Sequence, residues 1–178
     1  MDHFAGHTGA WIALGLMGCA NLARAQAEDR PAGDVVAERP IRAAPADIYA
    51  RLLDLTFHES VWPEGCTARW EHGATSVGVG ASARLTYRAA MMRRRLTATV
   101  AKGVPGQSLK IEHAGRLGFS TTWTFTERDE DTLVEVHTWV DPPPSPLTNM
   151  YLNQVRPAWQ SCHQGLLDNL ARSMHSGR

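Results

Sequence analysis

The amino-acid sequence predicts an α+β fold: a strongly curved, seven-stranded antiparallel sheet around one long C-terminal helix, with two short helices after the first strand. Three observations carry this. A helical period occurs early, over Pro45–Leu55; a run of six strand-like segments comes after it; and beyond the break Pro142-Pro143-Pro144 a single amphipathic stretch occupies the C-terminal region. A curved sheet closed by one helix leaves apolar space between them, so the architecture itself suggests a cavity binder.

Each element has its own signal. Val35 to Arg42 reads as a strand, and Pro40 places it at an edge or a bulge, because proline donates no ladder hydrogen bond. In the first helix Ile48, Leu52 and Leu55 recur at helical spacing, Tyr49 and Leu53 widen the stripe, and Asp54 closes it. A second helical turn is expected over Phe57–Trp62, ended by Pro63-Glu64-Gly65. Ala68, Trp70 and His72 alternate with Arg69 and Glu71 as a half-buried strand. After Gly78 and Gly80, Ala81, Ala83, Leu85 and Tyr87 share one face, opposite Ser82, Arg84, Thr86 and Arg88. Leu96, Ala98 and Val100 form the next strand's inner row, and Val104-Pro105-Gly106 turns the chain, since proline presets φ and glycine accepts a positive one. Leu109, Ile111 and His113 then share a face. Leu117 to Thr126 sets Phe119, Thr121, Trp123 and Phe125 against small hydroxyls, the split required of a sheet with one wet face. Arg128 to Asp131 is a charged turn into Leu133–Val140. Ser145-Pro146 suits an N-cap followed by a first-turn proline. Leu147, Tyr151, Val155, Trp159, Cys162, Leu166 and Leu170 continue as a helical stripe, which Pro157 interrupts with a kink or break expected near Asn153–Arg156.

Composition narrows the function classes. The net charge of zero lacks the footprint of a nucleic-acid binder. Arg93-Arg94-Arg95 is the one basic cluster; it can hold a phosphate or an anionic lipid, or be a solvated hairpin flank, the reading that strand alternation favours. Ala10 to Ala23 is apolar, too short for a stable membrane span, and followed by Ala23-Arg24-Ala25-Gln26-Ala27. Residues 1–27 therefore resemble a secretory signal peptide cleaved after Ala25 or Ala27, although the segment before the apolar run carries no Lys or Arg. Residues 28–34 are a linker and 35–175 one ligand-binding domain. The expected location is periplasmic or secreted; alternatives are a lipoprotein anchored at Cys19 and a cytoplasmic protein with an uncleaved extension. Cys66 and Cys162 remain in the mature chain. Export permits a disulfide, but their spacing cannot show whether the Cα atoms approach within about 7 Å, and separate buried thiols are the expectation. Beyond the leader the chain has no CxxC or HxxxH pair, so zinc has no support there, and neither metal nor cofactor is expected.

Ile41 to Tyr49, Leu53-Asp54, Trp62-Pro63, Gly78-Val79-Gly80, Val104 to Leu109, Gly118 to Phe125 with Trp123 at its centre, and Thr132 to Val136 occur in an order that resembles the START-like superfamily, which includes polyketide cyclase-type proteins. The resemblance spans Val35 to Met174. It implies a helix-grip fold with an apolar cavity between sheet and helix, entered near Pro63–Cys66, Ala90–Arg93 and Ala114–Arg116. Relatives include lipid carriers, cyclases and proteins with no known reaction, so it constrains the cavity and leaves the chemistry open.

Strand parity and the helical stripe select Trp70, Leu85, Tyr87, His113, Phe119, Trp123, Phe125, Tyr151, Val155 and Trp159 as ligand-contacting residues, with Trp123 and Trp159 on opposite walls. Tyr87 and His113 are the candidates for catalysis, as carbonyl-polarising donor and base. The plainer roles are a pocket-wall tyrosine and a histidine satisfied by a backbone carbonyl. Arg84 and His137 have the opposite parity. His58-Glu59 and Cys162-His163 are adjacent pairs that a helix points about 100° apart, so neither pair is placed to act on one atom. The leading expectation is binding of a small hydrophobic or amphipathic ligand after export. The alternatives are a polyketide cyclase- or dehydratase-like enzyme and an interaction module with a filled core.

Overall fold

The computed structural model describes residues 34–89, 92–115, 118–140 and 145–176, without the side chains of residues 67–69, 72, 87, 89, 92 and 176. The expected signal segment and Pro142–Pro144 lie outside the described residues. Strand β1 (Val35–Ile41) leads into helices α1 (Pro45–Leu52) and α2 (Leu55–Val61). Strands β2 (Thr67–His72), β3 (Ser82–Ala89), β4 (Met92–Val104), β5 (Ser108–Ala114), β6 (Phe119–Arg128) and β7 (Asp131–Val140) follow, and α3 (Pro146–Ser176) ends the described chain. The sheet has seven strands in the order β1-β7-β6-β5-β4-β3-β2, antiparallel throughout. This is the helix-grip arrangement expected from the sequence.

Alternation decides which face becomes core. On β6 Phe119, Thr121, Trp123 and Phe125 are buried, and on β7 Thr132, Val134, Val136 and Thr138 are. Leu109, Ile111 and His113 of β5 and Leu96, Ala98 and Val100 of β4 complete the inner face. β1 is an edge strand, as Pro40 requires. That edge is covered: Gln160 of α3 donates its side-chain amide to the Val36 carbonyl, and Arg39 pairs with Asp168.

The first helix is shorter than its apolar spacing predicts. Asp54 does not close α1; it N-caps α2, accepting from Thr56 N at 2.8 Å and from Thr56 Oγ1 at 2.7 Å. Burial opposes the charge, but the Thr56 hydrogen bonds hold the Asp54 carboxyl below its ordinary value. Tyr49 of α1 reaches across β4, whose register shifts between Val100 and Lys102; a Cβ on Gly103 would collide with the Tyr49 phenol.

Two expectations about the C-terminal region are corrected. The helix is not broken: α3 runs from Pro146 to Ser176 with Pro157 inside it, on the exposed side. The buried stripe also starts later. Leu147 is 73% exposed and Tyr151 half-buried, and core positions begin at Leu152 and continue through Val155, Trp159, Cys162, Leu166 and Leu170.

Cys66 and Cys162, expected as separate thiols, form a disulfide with Cα atoms 5.7 Å apart. The cause is a local fold-back. The α2–β2 connection lies against α3, where Asn169 Nδ2 donates to the Val61 carbonyl at 2.9 Å and the Trp62 ring meets His163 edge-on at 6.2 Å. Among the described residues, no helix is long and apolar enough to cross a membrane.

Candidate functional site

Between sheet and α3, among the described residues, lies a small void of about 20 Å³, walled by His58 and Trp62, by Trp70, by Ile111 and His113, by Phe119, Thr121 and Trp123, and by Leu166. A void of this size holds one water molecule. Its walls come from α2, β2, β5, β6 and α3, so five elements must be in place before the void exists.

Three histidines meet around this interior. Burial is the main force on each and disfavours the imidazolium, pushing His58 and His163 down to about 4 and His113 to about 3. His113 is lowest because His58 and His163 add repulsion to any charge placed on it. All three are therefore neutral near pH 7, and carbonyl partners fix two tautomers, because a carbonyl only accepts. His58 Nε2–H donates to the Leu52 carbonyl at 2.7 Å. His163 Nδ1–H donates to the Trp159 carbonyl at 2.9 Å, which leaves Nε2 as an acceptor for the Thr138 hydroxyl at 2.9 Å. Thr138 then accepts from Thr121, 2.8 Å away, so hydroxyl protons run from Thr121 through Thr138 to His163.

His113 stacks on Phe119 with ring centroids 4.2 Å apart, and the Phe119 backbone offsets a small part of the burial that disfavours its charge. Its Nδ1 is buried without a partner among the described residues, and so is Trp123 Nε1. A buried polar atom left in this state costs about 1–3 kcal/mol. The Trp123 indole meets the His58 ring edge-on at 5.7 Å, so donor and imidazole face the same small space.

The residues selected from the sequence separate into groups. Trp70, His113, Phe119 and Trp123 wall the void. Trp159 is buried behind it, its ring 5.1 Å from that of Phe119, and Val155 is buried one turn earlier on α3. Phe125 packs at the other end of the sheet against Tyr49, and Leu85 is buried in β3. Tyr151 is half-buried. The Tyr87 side chain lies outside the described residues. His137 has the opposite parity, as predicted, and lies 3.5 Å from Asp34. Sequence reasoning missed His58, Trp62, Ile111, Thr121, His163 and Leu166. His58 and His163 were judged only against their chain neighbours, whereas the fold points both inward, toward His113. Among the described residues, no group of three or more His, Cys, Asp and Glu could hold a metal ion.

Solved structures share this arrangement. The KanY protein superposes with a TM-score of 0.70 at 17% identity, over 80% of this chain and 97% of that one. TTHA0849 from Thermus thermophilus gives 0.66 at 20% identity, covering 82% and 99%. Protein Ms6760 from Mycobacterium smegmatis gives 0.61 at 12%, covering 83% and 94%. At these identities the likeness establishes the fold alone. No curated protein matches the sequence significantly. A family model does: with residues 32–175 matched by the model described as polyketide cyclase / dehydrase and lipid transport, the chain belongs to that family, within the START-like superfamily.

Proposed function

We propose that the protein binds a small, largely apolar molecule carrying a hydroxyl group in the space between the sheet and α3. The observation that carries this reading is the pair of unpartnered buried nitrogens, His113 Nδ1 and Trp123 Nε1, in the wall of one void. Trp123 offers a donor. In the tautomer with its proton on Nε2, His113 offers a lone pair at Nδ1. A hydroxyl satisfies both kinds of group, and apolar burial supplies the rest at about 25 cal/mol per Å². A void of about 20 Å³ is too small for such a ligand, so binding requires the walls to move apart.

Binding is favoured over catalysis by the state of His113. A base pushed down to about 3 has little driving force for taking a proton from carbon, so the cyclase-like reading with Tyr87 and His113 is weaker. The small void favours a second reading, the filled-core interaction module. Export to an oxidising compartment is part of the proposal, and the Cys66–Cys162 bond supports it, because disulfides persist in such compartments. The mature N-terminus of the native protein, read by mass spectrometry, tests that part: a start after Ala25 or Ala27 is expected.

The ligand reading is tested with 2-naphthol and naphthalene, followed through the indole N–H signals. Naphthol is expected to bind at least tenfold more tightly than naphthalene, a ratio that Trp123→Phe should lower. Equal binding of the two removes the hydroxyl claim. Binding of neither leaves the filled-core module.

A further inference from the structure

The outer face of the sheet carries a feature that interior binding does not use. From residue 72 to residue 111 the chain has no Asp or Glu, yet Arg84, Arg88, Arg93, Arg94, Arg95, Lys102 and Lys110 fall in that stretch of a chain with zero net charge. Register gathers part of this charge onto one face. Arg88 stands directly across from Arg93, Thr86 from Arg95, and Arg84 from Thr97 on one side and from Glu71 on the other. Arg84, Arg88, Arg93 and Arg95 are all exposed, and among the described residues none of the four makes an ion pair. Around Arg84, Arg93 and Arg95, with Thr86 and Thr97 between them, the surface forms an open cleft of about 630 Å³ whose one acidic wall residue is Glu71.

Like charges directly opposite on antiparallel strands destabilise the pairing. Elsewhere in this protein exposed cations do find acids, as Arg42 does in Glu130 at 2.8 Å and Lys110 in Glu112 at 2.8 Å. We infer that the cleft on the β3–β4 outer face is a binding site for phosphate-ester anions, held by Arg84, Arg93 and Arg95. Guanidinium groups match phosphate oxygens with paired N–H donors, and the Thr86 and Thr97 hydroxyls can donate to the oxygens left over. From Arg84 to Arg88 the row extends about 13 Å along the strand, long enough to take more than one anionic group. The site faces away from the interior, so it stands or falls independently of ligand binding there.

The probes are inorganic pyrophosphate, followed by calorimetry at low salt, and vesicles of phosphatidylglycerol or phosphatidylcholine, followed by co-sedimentation. Wild-type protein is expected to bind pyrophosphate, more weakly as salt screens the arginines. The double variant Arg93→Gln/Arg95→Gln should lose at least tenfold in affinity, while Arg42→Gln stays within twofold. Both changes are at exposed positions, and an unchanged thermal midpoint confirms that the fold is intact. Pyrophosphate binding without vesicle retention assigns the site to soluble phosphate esters. Retention on phosphatidylglycerol but not phosphatidylcholine, lost in the double variant, assigns it to a lipid headgroup. Absence of both, equal binding by the double variant, or retention only of duplex DNA overturns the inference.

Discussion

The two ends of α3 are one helix in backbone and two different things in energy. Near its start, Leu147 is 73% and Met150 57% exposed, and Ser145 caps the Thr148 amide at 3.3 Å. Beyond Pro157, Trp159, Cys162, His163, Leu166, Leu167 and Leu170 are all buried. There the helix is tied to its surroundings by the Cys66 disulfide, the Thr138–His163 hydrogen bond, the Asn169–Val61 hydrogen bond and Pro63, which a Cβ on Gly165 would approach to 3.0 Å. The contrast teaches that forming a helix and docking it are separate matters. An apolar stripe specifies the first; only a facing strand or loop supplies the second.

Acid should break the docked part with the largest effect. Unfolded, each imidazole takes up its proton near pH 6.5; folded, His58 and His163 do so only at about 4 and His113 at about 3. Between those values the unfolded chain holds more protons, so stability is full above about pH 6.5 and falls as pH drops, by up to about 1.4 kcal/mol per unit for each histidine. Urea unfolding should therefore show a loss of several kcal/mol between about pH 7 and about pH 4.5, and His163→Leu should remove about a third of the slope. A flat profile would mean the three rings are not buried neutral in solution.

Truncation compares the two ends directly. Trp159→Ala should lower stability by about 3–5 kcal/mol, whereas Leu147→Ala, at an exposed site, should stay within about 0.5 kcal/mol. Similar losses in chemical denaturation would show that the first turns pack in solution. Next in size is the disulfide. Replacing both Cys66 and Cys162 with alanine should cost about 2–4 kcal/mol and speed amide exchange over residues 158–171, narrowing the difference between the ends. If exchange there stays as slow as in the parent, the remaining contacts suffice to hold the helix.

Much of the fold was legible because a half-wet sheet writes itself in period two. Phe119, Thr121, Trp123 and Phe125 alternate with hydroxyls in the sequence and are buried together in the structure. Pro40 announced an edge for a local reason, its missing N–H. The candidate site was less legible, because its defining facts are long-range. His58, His113 and His163 come from α2, β5 and α3, and no spacing rule links them. Cys66 and Cys162 are separated by 96 residues, and their pairing depends on a loop folding back onto a helix. Nor does alternation report how completely inward side chains fill the space they enclose. His58 of α2 and Trp62 just after it wall the void alongside the strand residues, which strand parity does not show.

The smallest effect belongs to Pro157, and it tests why the two ends differ. Proline inside a helix has no N–H for the carbonyl four residues back, here that of Asn153, so one backbone bond is missing where the exposed end joins the docked one. The helix nevertheless continues, held on the far side by the buried Trp159 and on the near side by Leu152 and Val155. Pro157→Ala restores the donor at an exposed position, which should stabilise the protein by about 1 kcal/mol after the looser unfolded chain is allowed for. The informative readout is local. In the parent, amides of residues 147–155 should exchange faster than those of residues 158–171, and in the variant this gap should shrink while the docked end stays unchanged. A hinge would then lie at the missing bond, letting the first turns of α3 swing from the sheet and admit a ligand to the interior. If exchange in the parent is uniform along α3, or the variant leaves the gap as it was, the first turns are loose only because nothing packs on them, and the proline has no part in opening the interior.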